Sequence, residues 1–337
     1  MITERDWDQL EADQHAHGTT VRRVYPRSPQ EIFIAVRHPD GCRMLTLGIA
    51  TRAAADVLRR LRALPRTRGI EMQFARLGDG HGELRVALTD NGLREVFNPL
   101  ASDIASTAQA LADTPDAVMA AVSRFEHWQR MLQGIADTGL SPEHRRGLFG
   151  ELAILRSHLL PALRALDAVR AWAGPTAANQ DFQLPRAAIE VKASSGKEPQ
   201  VLMISNERQL DGKGVPRLLL AHLSLDERRG GTGESLNAAV DRTRDALAGA
   251  PARDLLDDLL VRTGYLGRHR GLYDEPRYTV RRQRFWDVAG DFPRITEGDL
   301  RPGVGDCRYS ISTAGLERYL LSPEDVAAAI GGRSPDE

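Results

Sequence analysis

Asp181, Glu190 and Lys192, within NQDFQLPRAAIEVKASS (179–195), are the residues whose types and spacing invite chemistry. If AAIEVKAS is a strand, alternation puts Ile189 and Val191 on one face and Glu190 and Lys192 on the other. The last two are then about 7 Å apart along the strand. Asp181, just before FQL, can enter from the adjoining antiparallel strand, with PRAA as the turn. Two carboxylates at one end of a hairpin form a hard-oxygen site suited to Mg²⁺ or Mn²⁺, and the carbonyl of Val191 can add a further ligand. Such an ion would polarise a phosphoryl oxygen and lower the pKa of a bound water. Lys192 beside it would orient that water or offset charge building on the phosphate. The residue types match phosphodiester hydrolysis. The plainer alternative is a solvated strand face with an incidental salt bridge.

The flanking elements must then bring these groups together. SPEHRRGLFGELAILRSHLL predicts a helix with Ser141 as N-cap and Pro142 at its first position. Leu148, Leu152, Leu155 and Leu159 form its apolar stripe, and Glu151 lies at the edge of that stripe. A carboxylate there faces a sheet rather than open water, a costly position without a metal or cationic partner. Upstream, EIFIAVRHPDGCRMLTLGIA reads as two strands around a Pro39-Asp40-Gly41 turn, and RAAADVLRRLRAL as a helix with Val57, Leu58, Leu61 and Leu64 on one side. A second hairpin is expected around Gly78-Asp79-Gly80, and a helical stretch from Leu93 to Gln133. Downstream come a strand-rich core to about residue 225, helices near 235–248 and 252–262, and a β-rich C-terminal part. The expected division is an N-terminal α/β domain (1–112), a helical connection (113–140) and a C-terminal domain (141–337).

D-x(8)-E-V-K resembles the signature of the PD-(D/E)XK nuclease superfamily. That resemblance implies an α/β (α+β), restriction-endonuclease-like core: a central mixed sheet flanked by helices, with divalent metal bound to cut DNA. The residue before the first acid is usually Pro, and here it is Gln180. Members often carry a further acid on the preceding helix, which points to Glu151, and a Gln near the scissile phosphate, which points to Gln209 in ISNERQL; a plain polar helix residue is the equal alternative for Gln209. The wider run from GLFGEL through IEVKAS to DFPRI, residues 145 to 312, is similar to a branch known chiefly as a domain of unknown function. The resemblance therefore implies Asp181, Glu190 and Glu151 as metal ligands, Lys192 as the catalytic lysine, and a part in bacterial anti-phage defence beside an ATPase or DNA-recognition subunit. A non-catalytic assembly or DNA-docking subunit that keeps the nuclease fold as scaffold is the rival reading.

Composition narrows the rest. With 45 Lys and Arg against 46 Asp and Glu, net charge −1, no global electrostatic pull favours nucleic acid, so DNA binding by the chain alone is expected to be weak. Lysine occurs only at positions 192, 197 and 213, so a lysine two residues after Glu190 suggests a task for a compact ammonium. YTVRRQRFW places Arg281, Arg282 and Arg284 beside aromatics, a pattern that suits phosphate contact and base stacking but more often marks a strand with a charged outer face and an aromatic inner one. Trp128 and Trp172 read as packing residues. Cys42 and Cys307 form no CxxC, the histidines (His15, His17, His144, His222 and His269 among them) show no metal spacing, and GxSxG is absent. RRGGTGESL lacks the Lys-Ser/Thr ending of a phosphate loop. No apolar run approaches the roughly 18 residues of a membrane span, and the polar N-terminus does not read as a secretory signal, so the cytoplasm is the expected compartment. A homodimer is one oligomeric state left open.

Overall fold

The computed structural model describes residues 2–331 except 14–16, 62–63, 68, 77–80, 135–137, 177 and 197. His15, Lys197 and the turn expected at 78–80 lie outside the described residues. The chain divides into two compact units, residues 1–137 with 266–268, and residues 138–265 with 269–337.

In the first unit, α1 (Glu4–Ala12), β1 (Gly18–Val24), β2 (Ile32–His38), β3 (Cys42–Ile49), α2 (Thr51–Arg60), β4 (Arg66–Thr67), β5 (Ile70–Arg76) and β6 (Gly82–Leu88) precede two long helices, α3 (Arg94–Gln109) and α4 (Thr114–Gly134). The strands form an antiparallel sheet in the order β1-β2-β3-β6-β5-β4. Ile32, Ile34 and Val36 on β2, with Leu84, Val86 and Leu88 on β6, are buried at the period of two that made these strands legible. Gly41 closes the β2–β3 turn with φ +65, a left-handed conformation that favours glycine. β1 escaped sequence reading because GTTVRRV at the sheet edge is mostly polar and none of it is fully buried. The helix expected over 52–64 stops at Arg60, with Leu61 as an extended C-cap, and of its apolar side only Val57 is fully buried.

The second unit opens with α5 (Pro142–Ile154), whose N-cap Ser141 side chain accepts from the His144 N–H. The helix runs through a π turn (Leu155–Leu159) into α6 (Leu160–Ala162), followed by α7 (Ala165–Ala171). Then come β7 (Phe182–Gln183), β8 (Ala188–Ser194), β9 (Val201–Ile204), β10 (Leu218–Arg228), β11 (Glu234–Ser235), α8 (Leu236–Ala246), α9 (Ala250–Arg262), β12 (Arg277–Asp287), β13 (Tyr309–Ser312) and α10 (Pro323–Gly331). The central sheet is mixed, in the order β11-β12-β10-β8-β7. β8 and β10 run parallel and the other neighbours antiparallel.

One face of this sheet, carrying Ile189, Val191, Leu219, Ala221 and Leu223, shares a core with Leu148, Leu152, Leu155 and Leu159 of the α5 region and with residues of α8 and α9. The other face, with Ala188, Leu218, Leu220 and Trp286, packs with Leu202 and Ile204 of β9 and Ile311 of β13. Covered on both sides, β10 has an unbroken buried run from Leu218 to Leu225. Gly150 lets α5 approach β8: a Cβ there would lie 3.0 Å from the Ala193 Cβ. The fold is α/β; helices cover one face of the central mixed sheet as expected, but the β9–β13 pair covers the other. In the C-terminal part β12 and β13 alternate with 3₁₀ turns, and α10 closes it.

Candidate active site

The β7–β8 hairpin forms as its sequence suggests, with Phe182 opposite Ile189 and Gln183 opposite Ala188. Asp181 sits at its mouth. The backbone wraps it from the preceding segment: the N–H groups of Ala173 and Gly174 donate to the Asp181 carbonyl at 2.8 and 3.0 Å. The Asp181 side chain reaches across the hairpin, its Oδ2 accepting the Val191 N–H at 2.7 Å. That bond lies inside the EVK triplet, so the first acid is fixed relative to the second acid and the lysine. Gly174 leaves room for the acids: a Cβ there would stand 2.9 Å from Asp181 Oδ1 and 3.6 Å from Glu151 Oε2, so a larger residue would press on the Asp181 carboxyl.

Glu151 arrives from α5, half-buried at the edge of the leucine stripe. Its Oε2 accepts from the indole N–H of Trp172 at 2.7 Å. Trp172 is 1 % exposed and does pack in the core. It also holds the helix carboxylate, a role its sequence context did not announce, because the bond joins residues 21 positions apart.

Glu190 and Lys192 do share a face of β8, and Lys192 Nζ lies 2.7 Å from Glu190 Oε1. The setting is tighter than a solvated strand face: Glu190 is 1 % exposed, and its Oε2 is buried with no hydrogen-bond partner. Lys192 Nζ also donates to Gln209 Oε1 at 3.1 Å, and the same oxygen accepts the Ser205 N–H at 2.8 Å. Gln209 thus stands beside the lysine.

The three acids are tuned alike. Burial, reinforced by the neighbouring Asp181 and opposed by Lys192, pushes Glu190 up to about 8. Burial also raises Glu151 well above the usual carboxylate range, with Asp181 adding to the rise and the Trp172 bond opposing it. Asp181 rises through burial, against the pull of Lys192 and the Val191 N–H. Burial is thus the first cause for all three, and for Glu151 and Glu190 the neighbouring acids add to it. Clusters perturbed in this way concentrate at functional sites.

The profile of one protein family spans residues 3–314 of the chain, nearly its whole length, and is described as "Putative PD-(D/E)XK family member, (DUF4420)". The chain belongs to the DUF4420 family. No curated protein and no solved structure matches it. Nucleases of the PD-(D/E)XK superfamily generally use divalent metals. The donor set of this DUF4420 chain suits one, being all oxygen and carboxyl-rich, with an orphaned buried oxygen on Glu190. As the side chains stand, no three His, Cys, Asp or Glu among the described residues are grouped closely enough to hold an ion.

The remaining expected residues are arranged differently. A register shift at Ser224/Leu225 leaves Arg281 as the unpaired residue of β12. Arg281 and Arg282 are exposed: Arg281 donates to the Gly196 carbonyl at 3.0 Å, and Arg282 lies 3.7 Å from Glu198. Arg284 is half-buried, 4.0 Å from Glu317, and opposite His222, which is itself in register with Lys192. Among the described residues, the ion pairs of Arg282 and Arg284 are thus with Glu198 and Glu317 rather than with the three acids. His222 is 3 % exposed and stacks on Trp286, and burial lowers it to about 4, so it is neutral at physiological pH. Its Nε2 shares a 2.7 Å hydrogen bond with Ser194 at the end of β8. None of the described helices is long and apolar enough to cross a membrane.

Proposed function

We propose that this DUF4420 chain is a metal-dependent nuclease that hydrolyses phosphodiester bonds in DNA. In this reading Asp181, Glu190 and Glu151 hold Mg²⁺ or Mn²⁺, and Lys192 is the catalytic amine. The observation that carries it is charge imbalance in a buried place: three carboxylates raised by burial around one ammonium, with Glu190 Oε2 unpartnered. A bound divalent ion supplies Lewis acidity toward a phosphoryl oxygen. The chain's own residues do the rest. Val191 N–H and Trp172 Nε1–H orient Asp181 and Glu151, while Glu190 and Gln209 hold the Lys192 ammonium from two sides, ready to meet a phosphate oxygen or the attacking water.

Charge balance over the whole chain supports dependence on partners. With net charge −1, non-specific DNA affinity is weak and falls steeply with salt, which suits a cytoplasmic defence subunit recruited by a companion ATPase or DNA-recognition protein. Arg281, Arg282 and Arg284 would supply local phosphate contacts once the chain is delivered. The rival reading, a non-catalytic subunit of such a complex, draws on the same charge balance and on the lack of a closed three-ligand cluster among the described residues. The test is nicking of supercoiled plasmid at near-physiological salt with Mg²⁺, Mn²⁺ or EDTA, alone and with the proteins encoded beside it. Metal-dependent nicking that rises with the companions is expected. No cleavage under any of these conditions would favour the scaffold.

A further inference from the structure

Gln180 stands where the resembled signature usually has proline, and it is 4 % exposed. A buried primary amide needs partners for its N–H groups. Gln180 Nε2 donates to two successive backbone carbonyls, those of Arg208 at 3.0 Å and Gln209 at 3.4 Å. Those carbonyls lie in the turn after β9. The turn is also tied from within, because Gln209 Oε1 accepts the Ser205 N–H at 2.8 Å. The same oxygen accepts from Lys192 Nζ at 3.1 Å, and Lys192 pairs with Glu190 Oε1 at 2.7 Å. One path of polar contacts therefore runs from the residue before Asp181, through the 205–210 turn, to the ammonium beside Glu190. A proline at 180 has no side-chain donor and could not start that path.

We propose that Gln180 is a positioning residue: it pins the 205–210 turn so that the Gln209 amide holds the Lys192 ammonium against Glu190. This rests on the reading of Lys192 as the catalytic amine. Without Gln180 the turn keeps the Ser205–Gln209 bond but loses its anchor to the hairpin, and Lys192 loses a fixed partner. Its charge then spends less time where a phosphate would meet it, so turnover falls while substrate affinity changes little.

The chain's few lysines supply a direct readout. Trace acetylation of the full chain with acetic anhydride, read by mass spectrometry, gives the reactivity of Lys192 relative to the exposed Lys213. Gln180→Met keeps the volume and removes the donors. Gln180→Glu keeps the shape and sets an acceptor against two carbonyls. In either variant the Lys192/Lys213 ratio should rise about tenfold, the scale set by one or two lost hydrogen bonds. Far-UV circular dichroism should stay unchanged, and kcat for plasmid nicking should fall with KM near that of the parent. Gln209→Ala should raise the ratio similarly, and adding Gln180→Met to it should add little, as for residues acting in one path. An unchanged ratio in whichever Gln180 variant keeps its fold would overturn the proposal. Absence of cleavage by the parent would count against the nuclease reading instead, and the labelling ratio would still decide the role of Gln180.

Discussion

In the first unit one buried cation is surrounded by acids that reach water, whereas in the second, acids point inward around one cation. Arg43 on β3 is 0 % exposed. Its Nη1 pairs with Glu4 at 2.7 Å, its Nε with Glu11 at 2.8 Å, and its Nη2 lies 4.0 Å from Asp8, with its guanidinium 5.3 Å from the centre of the Trp7 ring. The side chains of Glu4 and Asp8 remain more than half exposed. Glu11 is lowered even though burial opposes this, because hydrogen bonds and charge from Arg43 and Arg94 prevail. Around Glu190 the balance reverses: burial and Asp181 prevail over Lys192, and the acid rises to about 8. A cluster that only fastens helix to strand can match its charges and leave the surplus in water. A cluster of acids held in a buried place would be stabilised by a further cation, such as Mg²⁺ or Mn²⁺, and without one it lies at some expense to the stability of the fold.

The largest expected effect is on chemistry. Lys192→Met or Glu190→Ala should lower metal-dependent nicking by about a thousandfold or more, with circular dichroism unchanged, since the loss is of a group that meets developing charge. Full nicking activity in both folded variants would place this cluster with the Arg43 type.

Next in size is a stability effect of unusual sign. A carboxyl whose folded pKa lies above its unfolded value near 4.5 contributes stability below that value and loses it as pH rises through about 8. In EDTA, Glu190→Gln should therefore become progressively more stable than the parent between pH 4.5 and 8, reaching on the order of 4 kcal/mol. Mg²⁺ or Mn²⁺ should raise the Tm of the parent and narrow that gap. Parallel Tm-against-pH curves for the two proteins would end the idea that Glu190 is strained by its charge.

The smallest effect belongs to the balanced cluster. Arg43→Met should destabilise by about 2–3 kcal/mol in urea unfolding. That is below the usual cost of breaking a buried pair, because Glu4 and Asp8 can turn to solvent. No divalent ion should restore it. Rescue by Mg²⁺ would show that the acids of α1 are themselves a metal site and erase the contrast.

Much of the nuclease-like core was legible because its signals are local. Strand alternation at 188–192, the PRAA turn, the Ser141-Pro142 helix start and the leucine stripe each act within a few residues. The hairpin and α5 consequently appear where the sequence puts them. β1 and the end of α2 were less legible, because a polar edge strand carries a faint pattern and the helix stops inside its own apolar periodicity.

Residue order sets which groups are at hand: two acids and a lysine on one hairpin, and a third acid on the edge of a helix. Tertiary structure alone decided their environment. Trp172 reaches Glu151 across 21 positions, Gln180 reaches the 208–209 carbonyls across nearly 30, and both faces of β8 are covered, so Glu190 is buried where alternation alone suggested a wet face. The reason is physical. Periodicity reports which side of a strand a residue takes, but the dielectric around a carboxylate, and hence its pKa and its need for a cation, depends on every element packed against that side.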